Sequence, residues 1–133
     1  WERSEYGRAL RARYGNISNL YLLDPVYDAG NLRWLRDGAR AYIHGHSAGG
    51  TNPSLVEMMH FGIPVIAHGC PFNRHTTENR AMYFENAEEL ISAVEIESEA
   101  RHQANGAAMR EIAARRYTWE TVGRAYFELL ENS

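Results

Sequence analysis

The sequence predicts an α/β protein with a mostly parallel sheet flanked by helices. Three observations predict it. Short apolar runs of strand length recur at Leu20–Leu23, Ala41–Ile43, Val65–Ala67 and Met82–Phe84. Segments with apolar residues at helical spacing separate them, and strands alternating with helices build parallel sheets. Capping residues, glycines and prolines punctuate the joins.

Each element has its own warrant. Tyr6, Leu10 and Tyr14 are spaced by four and Gly15 follows, so a helix is expected over Ser4–Tyr14. Leu20–Leu23 reads as a buried strand closed by Asp24 and Pro25. Asn31–Asp37 reads as a short helix with Leu32 and Leu35 inward. After the strand at Ala41–Ile43 comes the loop His44–Thr51. Asn52 is an N-cap, Pro53 fits the first helical position, Gly62 ends that helix and Pro64 prevents its continuation. Asn86 caps a helix carrying Leu90, Ile91 and Val94, with Glu89 placed as in a capping box. A later helix carries Met109, Ile112 and Ala113. Thr118 caps a last one carrying Trp119, Val122, Tyr126 and Leu130, expected to pack in the ordinary amphipathic way. The stretch Glu97–Gln103 fits either a turn or a continuous helix.

Composition bounds the function. A chain of 133 residues is one domain or part of a larger protein. It can bury roughly two thirds of its unfolded surface, enough for a core. Fourteen basic against 17 acidic residues give a net charge of -3, which argues against broad electrostatic binding of nucleic acid. One cysteine, Cys70, excludes a disulfide framework and a cysteine-based zinc site and points to a reducing, cytoplasmic compartment. No apolar run approaches the roughly 20 residues of a membrane helix. Trp1 stands where a complete chain would have Met, so a piece of a longer protein is expected.

The informative unit is the strand, loop and helix from Tyr42 to Gly62. Gly49 and Gly50 let the backbone approach a ligand and adopt positive φ. The helix start at Asn52 and Pro53 offers N–H groups and a positive dipole end, and Thr51, Asn52 and Ser54 add short hydrogen-bonding side chains. Such a loop suits a phosphate or diphosphate at the carboxyl end of a parallel strand, although it also serves as a plain turn. Glu57 lies about one turn inside the helix. Its carboxylate can accept from two vicinal ribose hydroxyls at once. The other reading of Glu57 is a solvated helix carboxylate.

Gly49–Ala67, Gly-Gly-Thr-Asn-Pro-Ser-Leu-Val-Glu-Met-Met-His-Phe-Gly-Ile-Pro-Val-Ile-Ala, resembles the donor-binding signature of GT-B glycosyltransferases, group 1 (family 4). Arg116-Tyr117-Thr118-Trp119-Glu120 and its helix resemble that family's C-terminal helices. The string Tyr42–Ser54 is similar to the branch that builds capsular and cell-surface polysaccharides, including rhamnosyltransferase-like members. The resemblance covers essentially all of residues 1–133 and implies a partial C-terminal domain, a Rossmann-like mostly parallel sheet flanked by helices, that binds a nucleotide sugar. It implies an absent N-terminal domain that binds the saccharide acceptor. It also implies a nucleoside diphosphate sugar as donor substrate with no further cofactor, and a cytoplasmic enzyme that can be peripheral to the inner face of a membrane. The family's paired glutamates stand eight positions apart. The second matches Glu57, the expected ribose ligand, while the first falls on Gly49, so the sugar contact passes to a neighbour such as His46 or a loop amide. Tyr27, in the loop Asp24–Tyr27, falls where the family contacts the base. The opening strand of the domain and its diphosphate-binding cations are expected upstream of Trp1. Their absence predicts an inactive fragment that self-associates through bare apolar surface.

Two other readings stay open. One is a nucleotide-sugar-binding module without turnover. The other is a metal-dependent hydrolase in which His44, His46, His68 and His75 supply ligands. His60 and His102 read as surface residues, Cys70 lacks a marked activating base, and Arg74, Asn73 and Thr76 border the expected site.

Overall fold

The computed structural model describes residues 1–95 and 98–132. The chain divides into two compact units, Trp1–Trp34 and Leu35–Ser133. Among the described residues, no helix is long and apolar enough to cross a membrane.

The first unit is built around helix α1, Glu5–Tyr14, whose N-cap Ser4 accepts from the Gly7 N–H. The Trp1 indole donates to the Leu23 carbonyl at 2.7 Å, and Arg11 pairs with Glu2 and Asp24, so the start of the unit is tied to the segment after α1. Leu20–Leu23 is not the buried strand the sequence predicts. It is irregular, and Leu20, Tyr21 and Leu23 are exposed. A strand requires a ladder partner, and among the described residues all paired strands belong to the second unit. Helix α2, Ala29–Asp37, crosses the boundary between units. Asp28 Oδ1 accepts from the Asn31 N–H at its start. Leu35 is exposed, against the expectation that it faces inward.

The second unit holds a three-stranded parallel sheet in the order β1 (Tyr42–His44), β2 (Val65–His68), β3 (Met82–Phe84). Tyr42 pairs with Val65, and Ile66 with Met82. The first crossover is helix α3, Pro53–Phe61, and the second is α4, Pro71–Thr76, a short helix absent from the elements the sequence predicts. Helices α5 (Ala87–Glu95), α6 (Glu99–Arg116) and α7 (Trp119–Glu131) follow. Ser98 caps α6, so the described part of the ambiguous stretch, Glu99–Gln103, is helix, while Glu97 lies outside the described residues.

Strand alternation sends side chains to two covered faces, as a parallel sheet requires. Val65 and Ala67 pack with Leu55 and Met59 of α3 and Met109, Ile112 and Ala113 of α6. Ile66, Met82 and Phe84 point the other way, against Leu90 and Ala93 of α5. Ile91 and Val94 of α5 remain exposed. Gly62 ends α3 with φ 69°, a left-handed conformation that few other residues adopt cheaply. His102 is buried on α6, correcting its reading as a surface residue. The apolar stripe of α7 is exposed, including Trp119, Tyr126 and Leu130, against the expected amphipathic packing.

Candidate functional site

The carboxyl edge of the sheet brings together the end of β1 with its glycine loop, the start of α3, and the end of β2 with α4. One side chain ties these pieces. The Asn73 amide donates both to the His46 carbonyl at 2.8 Å and to the His68 carbonyl at 2.9 Å. Asn73 is buried, so its role is to hold the loop after β1 against the end of β2. The buried Cys70 thiol also points at the His46 carbonyl, at 3.7 Å, which gives it packing and a weak bond rather than an activating base. Thr76 donates its hydroxyl to the Phe72 carbonyl and is buried.

The loop itself is open. Gly49 has φ 109°, and a Cβ at Gly49 or Gly50 would meet nothing within 4 Å. Gly50 does not share the positive φ expected of both glycines. Its use is therefore the space above it, not a special backbone angle. Asn52 caps α3 as expected, its Oδ1 accepting from the Ser54 N–H at 2.9 Å. Pro53 has no N–H and the Ser54 N–H is already taken, so the loop amides and the hydroxyls of Thr51 and Ser54 carry most of what this edge offers an anion. Thr51, Pro53 and Val56 form one wall of a cavity of about 370 Å³, and Tyr117, Trp119 and Val122 form the other. That volume falls within the range of small-molecule sites.

His44 and His46 lie on the same side, as their alternation predicts, and stack with ring centroids 4.7 Å apart. His44 is 1% exposed while His46 is exposed. The Tyr42 hydroxyl meets His44 Nδ1 at 3.1 Å, and His44 Nε2 has no partner. Burial, and then the neighbouring His46, push the His44 pKa down. The neutral ring is thus favoured, with one buried nitrogen unsatisfied. Two of the four histidines considered as metal ligands, His44 and His68, do not converge. His44 sits beside Ala67 in the register, and His68 beside Phe84. These are the two opposite faces of the sheet, and among the described residues no cluster of three metal-ligating side chains occurs.

Glu57 lies one turn inside α3, as predicted, and its carboxylate is both exposed to solvent and paired. Oε2 accepts from the Arg36 guanidinium. Arg36 and Tyr42 are the residues the sequence reading missed. Burial raises the Tyr42 pKa, with Arg36 opposing and Glu57 adding to the rise, so the three groups share one electrostatic neighbourhood. No local pattern marks a contact spanning 21 residues. Arg74 does not reach the site as an anion ligand. It lies 4.1 Å over the Tyr83 ring, donates to the Gly69 carbonyl and pairs with Glu85. Tyr27 belongs to the first unit and is 89% exposed.

In comparison with known proteins, no family model matches the chain, and no curated protein or solved structure is significantly similar to it.

Proposed function

We propose that residues 1–133 are the nucleotide-sugar-binding C-terminal domain, in part, of a GT-B glycosyltransferase of group 1 (family 4), in the branch that builds surface polysaccharides. The complete enzyme transfers a hexose or deoxyhexose from a nucleoside diphosphate sugar to a saccharide acceptor. It works at the cytoplasmic side of a membrane, with the acceptor on an N-terminal domain. The bond from the anomeric carbon to the diphosphate breaks, a bond to the acceptor hydroxyl oxygen forms, the hydroxyl proton passes to the departing diphosphate directly or through water, and the diphosphate leaves with the nucleoside. Catalysis then consists of holding the donor and meeting the charge on the departing diphosphate. In this reading the amides of Gly49 and Gly50 with Thr51, Asn52 and Ser54 cradle the diphosphate. Glu57 takes the ribose hydroxyls, and His46 contacts the sugar. No cofactor takes part.

The observation that carries this reading is the open glycine loop between a parallel strand and a capped helix, with Glu57 one turn inside it. One feature favours the second reading, a binding module without turnover. Gly49 stands where the family's first glutamate would touch the sugar.

A thermal-shift panel of nucleoside diphosphates tests the site. Ligand at 100 times its dissociation constant should stabilise the protein by about 2.7 kcal/mol. Gly50→Val should abolish that shift while leaving the unliganded melting temperature nearly unchanged, because its side chain enters open space. A full ligand shift in Gly50→Val would reduce the loop to a turn.

A further inference from the structure

Arg36 stands in the last turn of α2 and donates from Nη2 to Glu57 Oε2. The Arg36 side chain is 21% exposed, against 52% for Glu57. Its guanidinium carbon also lies 5.8 Å from the centre of the Phe61 ring. Phe61 follows Glu57 by four residues on α3, so both occupy one face of that helix, one turn apart. Arg36 therefore engages this face at two points, an aromatic ring and a carboxylate oxygen. As a stabilising contact, an ion pair with a half-exposed partner contributes little. As a way to fix a rotamer it contributes more. A glutamate on an exposed helix face samples several rotamers, and a ligand must freeze them. A carboxylate held beforehand has met that entropy cost before the ligand arrives.

We propose that Arg36 is a positioning residue. It holds Glu57 by Oε2 so that the carboxylate is presented to the vicinal hydroxyls of a ribose, and it thereby sets a preference for ribonucleoside over 2′-deoxyribonucleoside diphosphates. This rests on the reading of the loop and Glu57 as a nucleotide site. The guanidinium does not touch the ligand. It acts through Glu57, and the consequence is a specificity, which a merely structural ion pair would not supply.

The test is calorimetric titration of the 133-residue chain with the four common ribonucleoside diphosphates and their 2′-deoxy counterparts. The ratio of the two affinities is compared among wild type, Glu57→Gln, Arg36→Met, Arg36→Gln and Arg36→Lys. The wild type should prefer the ribose form by about tenfold. Glu57→Gln should bring the ratio close to one. Arg36→Met should lower it at least about threefold, and Arg36→Lys, which keeps the charge, should recover part of it. A loss of stability alone weakens both ligands equally and leaves the ratio in place. If Arg36→Met does not fold, Arg36→Gln gives the same reading. Should Glu57→Gln abolish the preference while the neutral Arg36 variants keep it, the positioning role is overturned and the nucleotide site stands. Should the wild type bind no nucleoside diphosphate, or bind both sugars alike, the reading of Glu57 fails and this inference fails with it.

Discussion

Helices α6 and α7 are neighbours in the chain and opposites in packing. α7 carries the apolar stripe that the sequence displays most openly, yet Trp119 is 94% exposed and no residue of the helix is buried. α6 is made largely of alanine, glycine and polar residues, yet it buries Asn105, Gly106, Ala108, Met109, Ile112 and Ala113. The difference teaches that apolar content does not decide which helix joins the core. Closeness of approach and satisfaction of the polar backbone do. Gly106 sits so near the α3–β2 turn that a Cβ there would lie 2.2 Å from the Gly62 carbonyl oxygen. Beside it, Asn105 Oδ1 accepts from the Val65 N–H at 2.7 Å, and Nδ2 donates to the Arg80 carbonyl at 2.8 Å. Two backbone groups, one at the start of β2 and one just before β3, are thus paired by one buried side chain.

The largest effect should come from Gly106→Ala. The methyl group would meet backbone rather than a flexible side chain, so α6 must move away from the turn. The expected loss is about 3 kcal/mol, read as a lower urea midpoint. An unchanged midpoint would show that α6 does not approach this closely, and the contrast with α7 would lose its cause. Asn105→Leu should come next. It keeps the branched heavy-atom skeleton but leaves the Val65 N–H and the Arg80 carbonyl unpaired, for a loss of about 2 kcal/mol in the same experiment. A neutral result would mean that other groups or water satisfy both.

What could be read from the sequence follows the same division. Asn52, Pro53 and Gly62 mark the bounds of α3 correctly, because caps and left-handed glycines act on their own neighbours. Asn86 and Glu89 likewise bond to each other at the start of α5. The glycine loop and Glu57 were legible for the same reason, as they follow one another in the chain. Leu20–Leu23 misled because an apolar run looks the same with or without a partner strand. α4 went unseen because six residues give too little periodicity, although Pro71 marks its first turn. Arg36 at Glu57, Asn73 across the loop and Gly106 under Gly62 are contacts between distant segments, and no local pattern encodes them.

Gly123→Ala in α7 is the counterpart of Gly106→Ala and carries the smallest expected effect, of opposite sign. Gly123 also lies inside a helix, but a Cβ there would meet nothing within 4 Å. The added methyl therefore strains no contact. It does restrict the unfolded chain, because glycine loses more conformational freedom on folding than alanine. The result should be a stabilisation of about 0.5–1 kcal/mol. The two sites belong to different helices and share no partner in the structure, so the double variant should show the sum of the single effects. Urea denaturation of wild type, both single variants and the double variant measures all of this in one series. A destabilising Gly123→Ala would mean that α7 is closely packed at this position in solution. The contrast between a helix held by close approach and one that stands free would then be false for α7.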